Sequence, residues 1–201
     1  MKLYGFGKTR SNRAQWALEE AGLSYELVKV ELPKGEHKGP DHLARHHHGL
    51  VPAFDDGELH LIESGAISMY VADKAPEKKL APALGTAERG RYYQWVVYAT
   101  STLDKNVLGI FFETVLTPEE KRSAEKVAGF KKEWEVSAKL IAGALEHSPY
   151  LAGDSFTIAD VAVGYDLAIA SQLGLLEGHP KIQEYFGRLA SRPAFKKVFA
   201  G

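Results

Sequence analysis

Two different spacings of apolar residues divide the chain into two parts. In the first part, short runs rich in β-branched and aromatic residues are separated by polar or glycine-containing segments, a pattern that is typical of strands. Helical spacing over residues 11–22 predicts a helix, with Ser11 or Asn12 capping its start and Gly22 its end. A second helix is predicted to begin at Ser64. The predicted strands are residues 2–6, 25–30, 51–54 and 58–62.

The order of these elements predicts an α+β domain with the pattern βαβ-α-ββα. A helix joins the first two strands, so we expect them to run parallel. Residues 51–54 and 58–62 are separated by Asp-Asp-Gly, which favours an antiparallel hairpin. The predicted sheet is therefore mixed and four-stranded, and the predicted domain covers residues 1–75.

The rest of the chain has no strand pattern. Residues 76–85 contain two prolines and are interpreted as a linker. From residue 86 to 201, apolar residues keep helical spacing, which predicts an all-helical bundle domain. Thr157 and Asp160 have the spacing of a capping box, with Asp in place of the usual Glu, so we expect them to be structural.

Composition and charge narrow the classes of function. The 201 residues include 25 basic and 26 acidic side chains, so no overall field favours nucleic acid or an anionic membrane as a partner. No signal peptide or membrane span is recognisable, and a cytoplasmic location is expected. The chain has no cysteine, which excludes disulfides, thiolate metal sites and a protein thiol as nucleophile.

Pro52 stands at the start of a predicted strand, although proline has no main-chain N–H to donate to a neighbouring strand. An X-Pro bond adopts the cis form at a cost of only about 0.5–1 kcal/mol, far less than a peptide bond to any other residue. A cis bond here would leave the main-chain N–H and C=O of Val51 free to pair with an extended peptide at the sheet edge.

Glu63 and Ser64 stand where the next helix begins. The free N–H groups of a helix N-terminus and a serine hydroxyl form a site for a carboxylate, and a neighbouring glutamate can hold an ammonium group. Together with Val51, these residues predict a pocket for a small peptide with an α-amino acid head group. The alternative interpretation of Glu63 and Ser64 is an ordinary helix cap.

Several motifs, in order along the whole chain, resemble the glutathione transferase family. They are L-Y-G at 3–5, W-A-L-E-E-A-G-L-S-Y-E at 16–26, G-L-V-P-A-F at 49–54, E-S-G-A-I at 63–67 and Y-L-A-G-D-S-F-T-I-A-D-V at 150–161. The resemblance implies a thioredoxin-like first domain, a helical second domain, and a homodimer formed through the fourth and fifth helices. It also implies glutathione as co-substrate, a small hydrophobic electrophile as second substrate, and no metal.

The resemblance also implies roles for individual residues. Pro52 would be cis, Val51 would pair with the cysteinyl main chain of glutathione, and Glu63 and Ser64 would hold its γ-glutamyl end. His37 would approach the glycyl end, as in the delta-like members. The chain departs from the family where many members have Asn-Pro-x-Gly, because it has three histidines and a glycine at 46–49.

Activation of the glutathione thiol requires a donor between the first strand and the first helix. A thiol pKa near 8.5 must fall by about two units, or ~2.7 kcal/mol, which two favourable contacts can supply. Thr9 falls where the serine-type members place their activating hydroxyl, Ser11 is the alternative, and Asn12 is a third candidate. Helix capping is the other interpretation of Thr9 and Ser11. Tyr4 is not chosen, because the tyrosine-type members align their catalytic residue with Gly5 and strand alternation turns Tyr4 away.

Three hypotheses follow for the function. In the first, the chain is an enzyme that activates glutathione for conjugation to an electrophile or for peroxide reduction. In the second, it is a binding or interaction protein with the same fold. In the third, the histidines around 42–48 bind a metal such as Zn²⁺, although a solvated loop and a glutathione contact are the other interpretations of that run.

Overall fold

The computed structural model describes residues 1–199, which form two compact units. Residues 1–81 and 192–199 belong to the first unit, and residues 82–191 to the second. The sequence prediction ended the first domain at 75 and gave everything after 85 to the second. Residues 192–199 belong to the first unit because the C-terminal helix packs on the helix that follows the first strand.

The first unit contains a mixed four-stranded sheet, as predicted. Its strands are β1 (Lys2–Gly5), β2 (Glu26–Lys29), β3 (Ala53–Asp56) and β4 (Leu59–Ile62). They lie in the order β2-β1-β3-β4, with β1 and β2 parallel and the other pairs antiparallel. The predicted strand at 51–54 begins two residues later, because Val51 and Pro52 precede the ladder.

Helices and short turns surround this sheet. They are α1 (Ser11–Ala21), α2 (Pro40–Leu43), α3 (Ser64–Lys74) and α9 (Pro193–Phe199), with 3₁₀ turns at Leu32–Lys34, Glu36–Lys38 and Pro76–Lys78. The short helix α2 and the two preceding turns fill the segment that the sequence marked as variable. They lie between β2 and the loop that leads to β3.

The sheet buries both of its faces. Leu3 and Phe54 pair across β1 and β3 and are fully buried on one face. Tyr4, Val30 and Ala53 form a cluster on the other face, against which Val51 and other apolar side chains pack. Strand alternation therefore turns Tyr4 away from the side of Leu3 and Gly5, as the sequence indicated.

Helix α9 is held against α1 by rings and ion pairs. The rings of Trp16 and Phe195 meet edge to face with centroids 5.0 Å apart. The guanidinium of Arg192 donates to both carboxylate oxygens of Glu20 at 2.6 and 2.7 Å. A bidentate pair of this kind fixes orientation as well as distance.

The second unit is helical throughout its ordered elements, as predicted. Its helices are α4 (Ala87–Tyr98), α5 (Asp104–Phe111), α6 (Ala124–Ala144), α7 (Ile158–Gln172) and α8 (Pro180–Ala190). Two π-helical segments, Ala99–Leu103 and Phe112–Leu116, continue α4 into α5 and extend α5. Within residues 1–199, no helix is both long enough and apolar enough to cross a bilayer.

The capping box of α7 is present and is part of a buried network. The carboxylate of Asp160 accepts hydrogen bonds from the main-chain N–H of Thr157 at 2.8 Å and of Leu151 at 3.0 Å. It also accepts from the hydroxyl of Tyr185 at 2.7 Å. Burial raises the pKa of Asp160 and that of Tyr185, while the donors to Asp160 oppose the change in its own pKa.

We expect Asp160→Ala to lower the free energy of unfolding by about 3 kcal/mol, because it leaves several buried donors without an acceptor. Urea unfolding of the wild type and the variant measures this loss. Asp154→Ala is the matched control, since Asp154 is exposed in the same segment. Equal losses for the two variants would contradict a structural role specific to Asp160.

Candidate glutathione-binding site

Three chain segments leave the sheet at the same end of its strands, which we call the sheet edge. The register places Tyr4 opposite Ala53 and Ala53 opposite Ile62. Because β3 runs antiparallel to both neighbours, the end of β1, the start of β3 and the end of β4 coincide there. The segments 6–10, 51–52 and 63–64 therefore lie side by side, and they contain most of the predicted site residues.

The loop after β1 is tied to the start of α1 by two hydroxyl groups. Ser11 Oγ accepts the main-chain N–H of Phe6 at 3.3 Å, and Thr9 Oγ1 lies 3.0 Å from Ser11 Oγ. Thr9 Oγ1 also donates to the carbonyl of Phe6 at 2.5 Å. A side chain at Gly5 would collide with this arrangement, because an added Cβ would come within 2.7 Å of the Cβ of Ser11.

The cap of α1 differs from the prediction. Helix α1 begins at Ser11, and its N-cap, Arg10, forms no side-chain capping bond. The hydroxyl of Thr9 accepts the main-chain N–H of Ser11 at 3.2 Å, and the carbonyl of Thr9 accepts that of Asn12 at 2.9 Å. Thr9 thus performs the capping that was the other interpretation of its hydroxyl, whereas Ser11 and Asn12 already lie inside the helix and do not cap it.

Accessibility separates the candidate donors. Ser11 is 2% exposed and Asn12 is 6% exposed, whereas Thr9 is only partly buried. Thr9 is therefore the more accessible of the two residues that carry a hydroxyl group. The two hydroxyl oxygens are 3.0 Å apart, within hydrogen-bond distance.

The bond between Val51 and Pro52 is cis, as the sequence analysis expected. Pro52 is buried, while Val51 is partly buried and packs against the cluster around Tyr4. Within the described residues, the main-chain N–H and C=O of Val51 make no hydrogen bond to another protein group. These two groups are therefore available to pair with an extended ligand.

The start of α3 has an unusual backbone and a buried partner. Glu63 has φ +72° and ψ 108°, a left-handed conformation that a residue with a side chain rarely adopts. Its side chain is exposed, whereas Ser64 is 4% exposed. The fully buried guanidinium of Arg13 donates to Ser64 Oγ at 2.9 Å. Because that oxygen accepts from Arg13, the hydroxyl proton of Ser64 can be donated to a ligand.

Arg13 is the residue that the sequence reasoning missed. It links the first turn of α1 to the first turn of α3 across 51 positions of the chain. The available signal was its position three residues before Trp16 on the apolar side of a helix, where a charge requires a partner. Nothing in the sequence named Ser64 as that partner.

His37 lies beside the loop that leads to β3. It belongs to the 3₁₀ turn Glu36–Lys38, and its carbonyl would be 2.5 Å from a Cβ added at Gly49. Gly49 has φ +58°, so both its conformation and this close approach require glycine. The ring Nδ1 of His37 is buried and has no hydrogen-bond partner within residues 1–199.

The histidines at 42–48 are not a uniform solvated loop. His42 and His46 are 5% and 4% exposed and stack with ring centroids 6.4 Å apart, whereas His47 and His48 are exposed. In residues 1–199, no three His, Cys, Asp or Glu side chains are grouped so that they could hold a metal ion. Burial, and then the neighbouring His42, lowers the pKa of His46.

A mixed four-stranded sheet with a cis-proline before β3, in a chain that continues into a helical unit, defines the class of proteins with a thioredoxin-like first domain and a helical second domain. Comparisons with known proteins narrow this class. Residues 1–73 match the family described as glutathione S-transferase, N-terminal domain, and residues 103–193 match glutathione S-transferase, C-terminal domain.

Individual relatives match over nearly the whole chain. The probable glutathione S-transferase GSTF2 of Oryza sativa subsp. japonica is 34% identical, over 98% of this chain and 95% of the relative. The structure of a ternary complex of BphK, a bacterial glutathione transferase, has a TM-score of 0.88 at 33% identity, covering 100% of this chain and 98% of that one. Glutathione S-transferase I from maize, in complex with an atrazine glutathione conjugate, has a TM-score of 0.88 at 29% identity, with 99% and 96% covered. The chain belongs to the glutathione S-transferase family.

We expect the stability of the protein to fall as the pH drops below about 6.5, in part because of His46. Burial lowers its pKa in the folded state below the ordinary value of about 6.5, so the unfolded state binds more protons in that range. Urea unfolding between pH 5 and pH 8 measures the dependence. His46→Gln should flatten the slope and the exposed control His47→Gln should leave it, whereas equal slopes in both variants would contradict this origin.

Proposed function

We propose that this glutathione S-transferase binds glutathione at the edge of its sheet and activates the thiol through Thr9, with Ser11 in support. The observation that carries the proposal is the shared register of Tyr4, Ala53 and Ile62, which brings the three candidate segments to one edge. Hydroxyl donors, free main-chain groups and a carboxylate with a serine are then side by side. They match the thiol, the peptide and the amino acid head group of a single ligand.

Each part of glutathione has a proposed partner. The main-chain N–H and C=O of Val51, presented before Pro52, pair with the cysteinyl residue. The carboxylate of Glu63 holds the γ-glutamyl ammonium, and the hydroxyl of Ser64 donates to the γ-glutamyl carboxylate at the start of α3. His37 is the proposed contact of the glycyl end.

The thiolate is stabilised by a chain of donors in this proposal. The N–H of Phe6 donates to Ser11 Oγ, which lies 3.0 Å from Thr9 Oγ1. A hydroxyl group has one proton, so when Thr9 donates its proton elsewhere, the proton of Ser11 is donated to Thr9 Oγ1. The proton of Thr9, which is donated to the carbonyl of Phe6 in the absence of ligand, then turns to the sulfur. Successive hydrogen bonds polarise one another, so Ser11 strengthens Thr9 as a donor. Asn12 is proposed to contribute through its position in the first turn of α1, where the helix dipole favours an anion.

The proposed reaction is conjugation of glutathione, which the complex of a similar protein supports. The maize enzyme is described with an atrazine glutathione conjugate, which is a product of transfer. In that reaction the thiolate attacks an electrophilic carbon, a sulfur–carbon bond forms, and the leaving group departs with its electron pair. The proposed second substrate is a small hydrophobic electrophile, and peroxide reduction by the same thiolate is the second candidate.

Further properties are proposed from the resemblance. A homodimer through the fourth and fifth helices agrees with the exposed apolar side chains of Tyr93 and Val97 on α4, which are 43% and 59% exposed. A cytoplasmic location and a role in detoxification complete the proposal, in which neither nucleic acid, a membrane nor a metal takes part.

The first test is the assay of the wild type. Conjugation of glutathione to an aryl halide, followed spectrophotometrically, should be saturable in glutathione. Calorimetry with millimolar glutathione distinguishes the enzyme from a protein that only keeps the fold. The absence of both binding and turnover would support the non-catalytic alternative.

We expect Thr9→Val to raise the pKa of the bound thiol by about one to two units, because the isosteric side chain removes a hydrogen bond to a charged sulfur. The rate at pH 6.5 should fall by about 10- to 100-fold. Thr9→Ser keeps the hydroxyl and should keep most of the activity, and Ser11→Ala should have a smaller effect. Thiolate absorbance against pH measures the pKa, and a larger effect from Ser11→Ala would reverse the order of the two residues.

We expect Glu63→Gln to weaken glutathione binding by about tenfold, because it removes a charge-assisted hydrogen bond to the ammonium group. The exposed Glu58, in the hairpin turn, provides the control Glu58→Gln. A glutathione analogue without the γ-glutamyl amino group should bind the wild type and Glu63→Gln equally. A difference between the two proteins with this analogue would place the ammonium elsewhere.

A further inference from the structure

His42 has a contact that the proposed catalytic scheme does not use. It lies in the short helix α2 and is 5% exposed. Its ring Nε2 is 2.7 Å from the carbonyl oxygen of Leu50. A carbonyl oxygen only accepts, so Nε2 carries the hydrogen and donates it.

The acceptor belongs to the peptide group that leads into Val51. The carbonyl of Leu50 and the N–H of Val51 are the two ends of one planar trans unit and point in opposite directions. A hydrogen bond that fixes the carbonyl therefore also fixes the direction of the N–H. The side chain of Leu50 is 53% exposed and gives this peptide group little support of its own.

Two neighbouring contacts hold His42 and the loop in place. The carbonyl of His42 accepts the main-chain N–H of His46 at 2.8 Å, which continues the helical turn beyond α2. The ammonium of Lys38 donates to the carbonyl of His48 at 2.8 Å. The carbonyl of Leu50 thus meets a side chain that is itself buried and supported.

We propose that His42 is a positioning residue for glutathione: by holding the carbonyl of Leu50, it directs the N–H of Val51 toward the cysteinyl carbonyl of the bound peptide. This inference rests on the proposed function, because it assigns a cause to the main-chain contact at Val51. His42 itself touches neither glutathione nor the sulfur. It acts on binding and leaves the chain of donors at Thr9 unchanged.

The test compares two substitutions that differ only in reach. In His42→Gln, the side-chain amide can extend to the position of Nε2 and donate to the carbonyl, whereas in His42→Asn the shorter amide cannot. Both are neutral and polar, and His47→Asn, at an exposed position, controls for a general effect of losing a histidine. Glutathione affinity by calorimetry, and KM and kcat for conjugation, are measured for each.

His42→Asn should raise Kd and KM for glutathione about tenfold, as expected for a lost hydrogen bond that orders a ligand contact. Its kcat at saturating glutathione and the pKa of the bound thiol should stay near the wild-type values. His42→Gln should recover the affinity to within about threefold. In the wild type and His42→Gln, glutathione should slow hydrogen exchange at the Val51 amide more than in His42→Asn.

Three results would overturn the inference. The first is wild-type affinity in His42→Asn, and the second is equal loss in His42→Asn and His42→Gln, which would indicate packing. The third is a fall in kcat with KM unchanged. Failure of the proposed function is distinct, because the wild type itself would then not bind glutathione. Thermal melting of the Asn and Gln variants shows whether they differ in folding, and the paired comparison holds as long as their melting temperatures agree.

Discussion

The antiparallel register of β3 between β1 and β4 is the constraint on which the site depends. With Tyr4, Ala53 and Ile62 in one row, the end of β1, the start of β3 and the end of β4 meet at one edge. A shift of one residue would turn the side chains of β3 to the opposite faces and bury different groups. The buried pair Leu3 and Phe54 excludes that shift, so the core determines where the site lies.

Arg13 adds a second constraint at the same edge. A fully buried guanidinium is costly unless it is paired, and the hydroxyl of Ser64 is one of its partners. The first turns of α1 and α3 are therefore held together by a buried hydrogen bond, which water cannot replace. Because this bond uses the oxygen of Ser64 and not its proton, the same residue supports the fold and keeps a donor for a ligand.

Much of the fold could be predicted because it depends on local spacing. The β-α-β order, the hairpin and the capping box at Thr157 and Asp160 are all readable from neighbouring residues. The capping of α1 by Thr9 is local and was one interpretation of that hydroxyl, whereas the packing of α9 on α1 was missed because it joins distant parts of the chain. For the same reason the sequence identified Ser64 but not Arg13, whose role exists only once two helices meet. The roles of Thr9, Ser11 and Glu63 toward glutathione stay predictions.

The absence of cysteine makes positioning the main task of this site. No protein thiol can take part, so in the proposed reaction the only thiol is that of the bound peptide, and its reactivity depends on where the main chain holds it. In the proposed function, a peptide contact through Val51 sets that position, and a hydroxyl at Thr9 can stabilise the thiolate only if the sulfur arrives within hydrogen-bond distance. The residues that orient the backbone before Pro52 therefore contribute to the chemistry without touching the reacting atoms. In this proposal His42, a buried side chain of α2, acts on the peptide group before Val51 and contacts neither glutathione nor the sulfur.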